Sequence, residues 1–443
     1  RSGRFPDFVL NCPETLVTTL PNGLRVASET NHGETAAVGM WIDAGSRYET
    51  AADNGAAHFL EHMAFKGTEH RTQQQLEVTI ENMGAHLNAY TSREQTVYYA
   101  KVFRRDVGAA MDILSDILTR SRLEPGAVER ERGVILREME EVNKQHEEVI
   151  LDHLHEVAFQ GTGLGRTILG PEENIRSLRR EDLTNYIRSH YTARRMVVAG
   201  AGAIDHAELV DLAERHFGHL PAEPPPGSVV APDAARFTGA EKRVWDASET
   251  EVHVALAYQG AGWTSEFSFP LMVAQTLMGS WDRASGRAVV SPLGRELAAK
   301  ELCHSYTTFN TCYTDTGLFG VYAIAPPTAA EELVGAVQEH LLRLCGGVSE
   351  PEVARARLQL KANMLMQLDA FANVAEDIGR QMLTFGRRMT PAEVFARIDA
   401  VTAEDVSLCA RRFVDDEDHA LAAIGPLEQL PSYDWLRERG VWR

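Results

Sequence analysis

The chain alternates between segments with a strand-like period of two and segments with a helical period, and turn residues separate them. In the first half, strands are predicted at residues 16–28 (a hairpin that turns at Pro21-Asn22-Gly23), 36–42, 87–91, 96–102 and 195–202. Helices are predicted at residues 56–66, 72–83, 105–120, 126–160, 182–190 and 207–217. The mixture of elements predicts an α/β (α+β) fold.

A Pro-rich stretch, residues 220–232, interrupts the periodic pattern almost at the midpoint of the 443-residue chain. On either side of it a helix, a turn and a strand recur, because residues 180–200 have a counterpart in residues 403–425. We therefore predict two homologous domains related by internal duplication. They are residues 1–220 and residues 243–443, joined by a linker at residues 221–242.

The composition narrows the class of protein. Hydrophobic residues make up 44% of the chain and charged residues 24%, which is typical of soluble globular proteins. The 63 acidic residues outnumber the 44 basic ones and give a net charge of -19. This charge argues against a nucleic-acid partner and favours a basic partner or substrate.

Three further features concern the compartment. The longest apolar run, residues 196–204, is too short to span a bilayer. The five cysteines are odd in number and form no Cys-x-x-Cys pair, so we expect no disulfide framework, no cysteine zinc site and a reducing compartment. The chain starts at Arg1 without an initiator Met or a signal-like apolar segment, so we expect a mature or trimmed form.

The strongest chemical signal is the pentapeptide His58-Phe-Leu-Glu61-His62, which lies on the predicted helix 56–66. Positions three and four apart share one helix face, so the two imidazoles and the carboxylate project together. Two imidazoles one turn apart suit zinc, and a carboxylate beside them can take a proton from an attacking water. The order reverses His-Glu-x-x-His and is called an inverzincin motif. The alternative is an ordinary amphipathic helix with two surface histidines.

A catalytic zinc site needs a third protein ligand. Glu131 and Glu138 lie seven residues apart on the predicted helix 126–160 and share one face, so either can close the site. Glu148 and Asp152 are four apart and lie further along roughly the same side. The alternative for all four is a solvated acidic face with ion pairs between neighbouring turns.

Segments throughout the chain resemble a known family. They are Gly55–Thr68, Leu87–Thr96, Val134–Val142, Leu164–Pro171 and Phe309–Gly320. These segments are similar to the pitrilysin-type zinc proteases, in the branch that contains processing peptidase β subunits of mitochondria and core I subunits of the cytochrome bc1 complex. The resemblance implies that each domain is a mixed, largely antiparallel sheet covered by helices. It also implies a catalytic zinc-binding first domain and a second domain without a metal site.

The resemblance assigns roles at the zinc site. It implies that His58, His62 and Glu138 bind Zn²⁺, with Glu138 placed 76 residues after His62. Glu61 is then the catalytic acid–base, and Glu131 supports the site without binding the metal.

The resemblance also assigns substrate contacts. The strand that contains Asn88, Ala89 and Tyr90 would pair with an extended peptide by main-chain hydrogen bonds. Phe65 would meet an apolar side chain just after the cut. Glu148 and Asp152 would bind an arginine just before the cut, and their spacing suits a two-carboxylate clamp on one guanidinium.

The implied function is a zinc metalloendopeptidase that removes basic N-terminal presequences from imported precursors, in the mitochondrial matrix or at the matrix face of the inner membrane. The family's non-catalytic α-type partner, a core II homologue, carries a flexible Gly-rich loop. Residues 279–287 are not Gly-rich, which places this chain on the β side and predicts a heterodimer, with other bc1 subunits as further partners in a respiratory complex. Two alternatives stay open: a structural core subunit of complex III with little or no protease role, and a cytosolic or bacterial peptidase of the same family.

Overall fold

The computed structural model of the protein describes residues 7–228, 230–285 and 289–442. Its contacts divide the chain into two compact units. Unit 1 comprises residues 1–140, 166–233 and 365–392, and unit 2 comprises residues 141–165, 234–364 and 393–443.

Unit 1 contains a sheet in the strand order β1-β2-β6-β3-β5-β4. Its strands are β1 (Thr15–Thr19), β2 (Arg25–Thr30), β3 (Thr35–Ile42), β4 (His86–Thr91), β5 (Thr96–Phe103) and β6 (Met196–Gly202). Neighbouring strands are antiparallel except β2 and β6, which are parallel. These bounds confirm the strands predicted for the first half of the chain.

Unit 2 contains a second sheet in the order β7-β12-β8-β11-β10-β9. Its strands are β7 (Ala240–Trp245), β8 (Val252–Gly260), β9 (Ser280–Asp282), β10 (Ser305–Cys312), β11 (Gly317–Ala325) and β12 (Ala420–Gly425). Here β7 and β12 are parallel and the other neighbours are antiparallel.

The helices complete both units. In chain order they are α1 (Asp7–Leu10), α2 (Ala56–Met63), α3 (Gln73–Asn82), α4 (Val107–Thr119), α5 (Pro125–Val142), α6 (His146–Ala158), α7 (Glu172–Ser177), α8 (Arg180–His190), α9 (His206–Phe217), α10 (Ser268–Met278), α11 (Pro292–Ala299), α12 (Ala330–Arg343), α13 (Glu350–Gln367), α14 (Phe371–Thr384), α15 (Pro391–Ala400), α16 (Ala403–Phe413) and α17 (Tyr433–Arg439). Among the helices described, none combines the length and the hydropathy that a bilayer span requires.

The two sheets repeat one plan. The order β2-β6-β3-β5-β4 in unit 1 recurs as β7-β12-β8-β11-β10 in unit 2, with a parallel first pair and antiparallel pairs after it. This confirms the predicted fold class, two homologous domains with mixed, largely antiparallel sheets covered by helices.

Each sheet has one face covered by a helix from the other half of the chain. Helix α14 packs on β2, β3 and β6 of unit 1, and α6 packs on the corresponding β7, β8 and β12 of unit 2. Both helices bury apolar side chains there, for example Ile378 of α14 near Trp41 and Leu154 of α6 near Ala255. The predicted domains, residues 1–220 and 243–443, were contiguous. They therefore did not include this exchange, in which α6 and α14 each pack on the sheet formed by the other half of the chain.

The linker also differs in detail from its prediction. The division between the units falls between Asp233 and Ala234. Strand β7 begins at Ala240, inside the predicted linker 221–242, because its residues pair in parallel with β12.

The prediction of one helix over residues 126–160 is wrong. The chain forms α5 and α6, separated by a turn in which the Lys144 and Gln145 amides donate to the carbonyls of Glu141 and Val142 over 3.2 and 2.8 Å. No Gly or Pro marks this turn in the sequence. The break follows from tertiary packing, because α5 belongs mostly to unit 1 whereas α6 buries Ile150 in unit 2.

Candidate metal centre

Helix α2 carries the whole His-x-x-Glu-His motif, as predicted. Gly55 precedes the helix with φ 106°, a left-handed conformation that favours glycine. A Cβ atom on Gly55 would lie 2.7 Å from Ile175 Cδ1 and 2.9 Å from the Leu169 carbonyl oxygen, so a larger residue does not fit. The apolar side chains of Phe59 and Met63 anchor α2 in the unit 1 core.

A buried carboxylate outside the motif holds the start of α2. Glu49 Oε2 accepts hydrogen bonds from Asn54 Nδ2 (2.7 Å) and the Gly55 amide (2.9 Å), and Oε1 accepts one from the Ala57 amide (2.7 Å). Glu49 thereby satisfies helix N-terminal amides that the Gly55 cap cannot. Burial raises the pKa of Glu49 to about 7, although these three hydrogen bonds favour its ionised form.

Three candidate ligands converge above α2. One nitrogen each of His58 and His62 and one oxygen of Glu138 lie within 4.8 Å of one another, the one such group of potential ligands in the part of the chain described. Glu138 Oε2 is 3.0 Å from His62 Nε2 and 3.7 Å from His58 Nε2. The sequence alone left Glu131 and Glu138 open as the third ligand, and Glu138 is the one that meets both imidazoles.

Glu131 occupies a different place, on the far side of the His62 ring. Its Oε1 accepts a hydrogen bond from His62 Nδ1 at 2.9 Å, and its Oε2 is 2.9 Å from Lys66 Nζ. Burial would raise the pKa of Glu131, but His62 and Lys66 lower it, so the carboxylate is ionised and accepts the Nδ1 proton. Because Glu131 holds the Nδ1 proton, Nε2 is the His62 atom available to a metal, and it faces Glu138.

The electrostatics fit a cation. Burial, and then the nearby His62, lower the pKa of His58 to about 4, so this imidazole is neutral at pH 7, the form that binds metals. Burial would lower the pKa of His62, but Glu131 and Glu138 raise it to about 9. Two carboxylates around one imidazole favour a positive charge between them. Either a proton or a metal ion can supply that charge.

Two buried atoms support the same conclusion. Neither Glu138 Oε2 nor His58 Nδ1 has an aligned hydrogen-bond partner among the described residues. His62 Nε2 is 3.0 Å from Glu138 Oε2, an approach that a proton or a cation between the two atoms stabilises. The donor set of two imidazoles and one carboxylate is one that zinc uses in catalytic sites.

Glu61 lies beside the three candidate ligands without being one of them. Its Oε2 accepts a hydrogen bond from Thr91 Oγ1 at 2.7 Å. Burial raises the pKa of Glu61, and the hydrogen bonds from Thr91 oppose that shift. A partly buried carboxylate with a raised pKa is suited to accept and return a proton.

The residues predicted to contact a peptide backbone lie on β4, at the edge of the first sheet. Asn88 is exposed, and Ala89 and Tyr90 are half-buried. The Tyr90 hydroxyl donates to Glu376 Oε1 at 2.6 Å, so this side chain faces α14. Phe65, two residues after α2, is half-buried against the unit 1 core.

Glu148 and Asp152 lie on α6 and therefore in unit 2. Ile150 and Leu154 of this helix are fully buried, which directs the two carboxylates to the opposite face. Glu148 is exposed and Asp152 half-buried. Their predicted contact with an arginine stays a prediction.

Sequence reasoning missed three residues at this centre. The position of Thr91 could have been predicted from the sequence, because alternation along β4 places it on the same face as Ala89. Lys66 follows His62 by four residues but lies beyond the end of α2, so helical spacing does not place it. Glu49 had no signal, since its contacts depend on how the chain before α2 folds.

Two family profiles match this chain. Residues 25–172 match the profile described as Insulinase (Peptidase family M16), and residues 177–360 match Peptidase M16 inactive domain. The first range contains the candidate metal centre and the second begins before α8.

Several relatives are similar over almost the whole chain. Probable mitochondrial-processing peptidase subunit beta of Arabidopsis thaliana is 52% identical, covering 98% of this chain and 82% of the relative. Mitochondrial-processing peptidase subunit beta is 51% identical in Bos taurus (98% and 89% covered) and 53% identical in Blastocladiella emersonii (98% and 94% covered). A chain of the solved structure Complex III2 from Candida albicans, Inz-5 bound, has a TM-score of 0.85 at 25% identity and covers 97% of this chain and 100% of that one.

The Glu49 contacts generate a test of stability. We expect Glu49→Gln to lower the free energy of unfolding by about 1–3 kcal/mol, because an amide oxygen replaces two buried carboxylate acceptors at a helix N-terminus. Urea titration followed by circular dichroism measures the loss. The exposed Glu173 provides the control, since Glu173→Gln should change stability by less than about 0.5 kcal/mol. Equal midpoints for both variants and the unsubstituted protein would show that Glu49 does not stabilise α2.

Proposed function

The chain belongs to peptidase family M16, and on that premise we propose that it is a zinc-dependent endopeptidase of the mitochondrial-processing β type that removes N-terminal targeting presequences from imported precursors. The observation that carries the proposal is the convergence of His58, His62 and Glu138 beside Glu61, with Glu131 holding the His62 ring. The relatives named mitochondrial-processing peptidase subunit beta support a processing peptidase of mitochondria.

The residues divide the chemistry between them. A zinc ion held by His58, His62 and Glu138 would polarise the scissile carbonyl and make an adjacent water a stronger nucleophile. Glu61 accepts the proton of the attacking water and returns it to the leaving amine. Glu131 and Lys66 keep His62 in the tautomer that presents Nε2 to the metal.

The internal repeat supports peptide binding along β4. In unit 2, β10 corresponds to β4, and the short strand β9 pairs antiparallel with its outer edge. In unit 1, no described strand occupies that edge of β4. An extended peptide that adds there would extend the first sheet as β9 extends the second, with its main chain bonded to Asn88, Ala89 and Tyr90. Phe65 would then contact the side chain after the cut.

Charge supports a basic substrate. The chain carries a net charge of -19, which attracts basic presequences over a distance. Glu148 and Asp152 on the outer face of α6 would bind an arginine before the cut as a pair of acceptors for one guanidinium.

We also propose a partner and a location. The relatives are named as β subunits, which supports a heterodimer with an α-type chain, in the mitochondrial matrix. Residues 279–285 of the segment compared with the α-type Gly-rich loop form β9 and a short turn, and residues 286 and 287 lie outside the described residues. The structural match to a complex III chain favours a second role as a core I subunit at the matrix face of the inner membrane.

The zinc assignment predicts how Glu61 behaves. We expect about one zinc per chain, and we expect Glu61→Gln to retain it while kcat falls at least about 100-fold, because the proton acceptor is lost. Atomic absorption and a presequence-peptide cleavage assay measure the two quantities. The control is His62→Ala, which should lose the metal as well as the activity. Wild-type rates in Glu61→Gln would contradict the assignment.

The arginine clamp predicts a substrate-dependent effect. Glu148→Gln with Asp152→Asn should raise KM for substrates with that arginine by the equivalent of about 1.5–3 kcal/mol per charged hydrogen bond lost. Substrates without the arginine should be cleaved as before. Glu147→Gln with Glu156→Gln is the control, because it removes the same charge from other exposed positions of α6. Equal effects on both substrate classes would refute the clamp.

The partner proposal predicts conditional activity. The isolated chain should cleave presequence peptides slowly, and addition of an α-type chain should raise the rate, with a heterodimer visible by sedimentation. Full turnover by a chain shown to be monomeric under assay conditions would contradict the need for a partner.

A further inference from the structure

Thr91 joins the proposed proton acceptor to the edge strand. It is the last residue of β4, and its Oγ1 donates to Glu61 Oε2 at 2.7 Å. Bonds from donors to an ionised carboxylate are stronger than neutral ones, so they restrict its orientation.

Side-chain alternation explains why Thr91 reaches the site. Successive residues of a strand point to opposite faces, so Ala89 and Thr91 face α2 while Asn88 and Tyr90 face the other side. The Tyr90 hydroxyl bond to Glu376 on α14 and the packing of Ala89 against the core that contains α2 agree with this assignment.

We infer that Thr91 is a positioning residue, which holds Oε2 of Glu61 so that Oε1 is the oxygen presented to the attacking water. Because Thr91 directly follows Asn88, Ala89 and Tyr90, the strand proposed to pair with the peptide also fixes the proton acceptor. The inference rests on the proposed function, since it assigns a role within that reaction.

The physical reason lies in the terminal torsion of glutamate. Rotation of a Glu carboxylate about χ3 is broad and has no sharp minimum of its own. Without the hydroxyl, the carboxylate keeps its place on α2 but loses a restraint on the direction of its lone pairs. The loss should therefore appear in the chemical step and not in peptide binding.

The test compares three variants of the full chain in the presence of its α-type partner. Thr91→Val removes the hydroxyl and keeps the branched shape, and Thr91→Ser keeps the hydroxyl. Thr96→Val makes the same chemical change directly opposite on β5, where the hydroxyl donates to the Ala44 carbonyl at 2.7 Å. For each protein, kcat, KM, zinc content, the melting temperature and the affinity for an uncleavable presequence peptide are measured.

We expect Thr91→Val to lower kcat roughly 10- to 100-fold, as for one hydrogen bond to a charged group, with KM, zinc content and peptide affinity unchanged. Thr91→Ser should recover most of kcat, and Thr96→Val should lower the melting temperature without the loss of kcat. Equal losses of kcat in Thr91→Val and Thr91→Ser, or a rise in KM alone, would overturn the inference. If the unsubstituted protein shows no Glu61-dependent cleavage, the proposed function itself fails, and that result is distinct from the others.

Discussion

The hydrogen bond between His62 Nδ1 and Glu131 Oε1 is the interaction on which the candidate centre depends. It holds an Nδ1 proton on the side of the imidazole away from Glu138, so Nε2 faces the other two candidate ligands. The bond in turn needs an ionised Glu131. The Lys66 ammonium, 2.9 Å from Glu131 Oε2, favours that charge. The same contact ties α2 to α5, so the candidate ligands sit on two helices held together by a buried carboxylate.

The two duplicated units differ at two places, and both differences concern the candidate site of unit 1. Both sheets follow one plan and each is covered by a helix from the other half of the chain. In unit 2 the strand β9 pairs with the outer edge of β10, whereas no strand among the described residues pairs with the corresponding edge of β4, and α10 carries apolar residues at the place of the helix with the His-x-x-Glu-His motif. An open edge beside a candidate metal centre is what a peptidase needs, because an extended substrate can add to the sheet with its scissile bond near the ligands.

The sequence predicted what depends on local spacing. Helix α2 and the shared face of its motif follow from three- and four-residue intervals, and the strands of the first sheet follow from alternation and turn residues. Spacing could not choose between Glu131 and Glu138, because both lie on one face of α5 and only packing against α2 separates their roles. It also missed the turn at residues 143–145, since no Gly or Pro marks it and the cause is the exchange of α6 and α14. Glu49 and Lys66 act through tertiary contacts that no periodicity shows.

The central claim is that His58, His62 and Glu138 form one zinc site with Glu131 outside it. Diffraction data collected on both sides of the zinc absorption edge, from crystals of the zinc-loaded protein, test it directly. The account predicts one anomalous peak about 2.0–2.2 Å from an imidazole nitrogen of each histidine and from a carboxylate oxygen of Glu138. A peak bonded to Glu131, or no peak between these helices in crystals that contain zinc elsewhere, would contradict it.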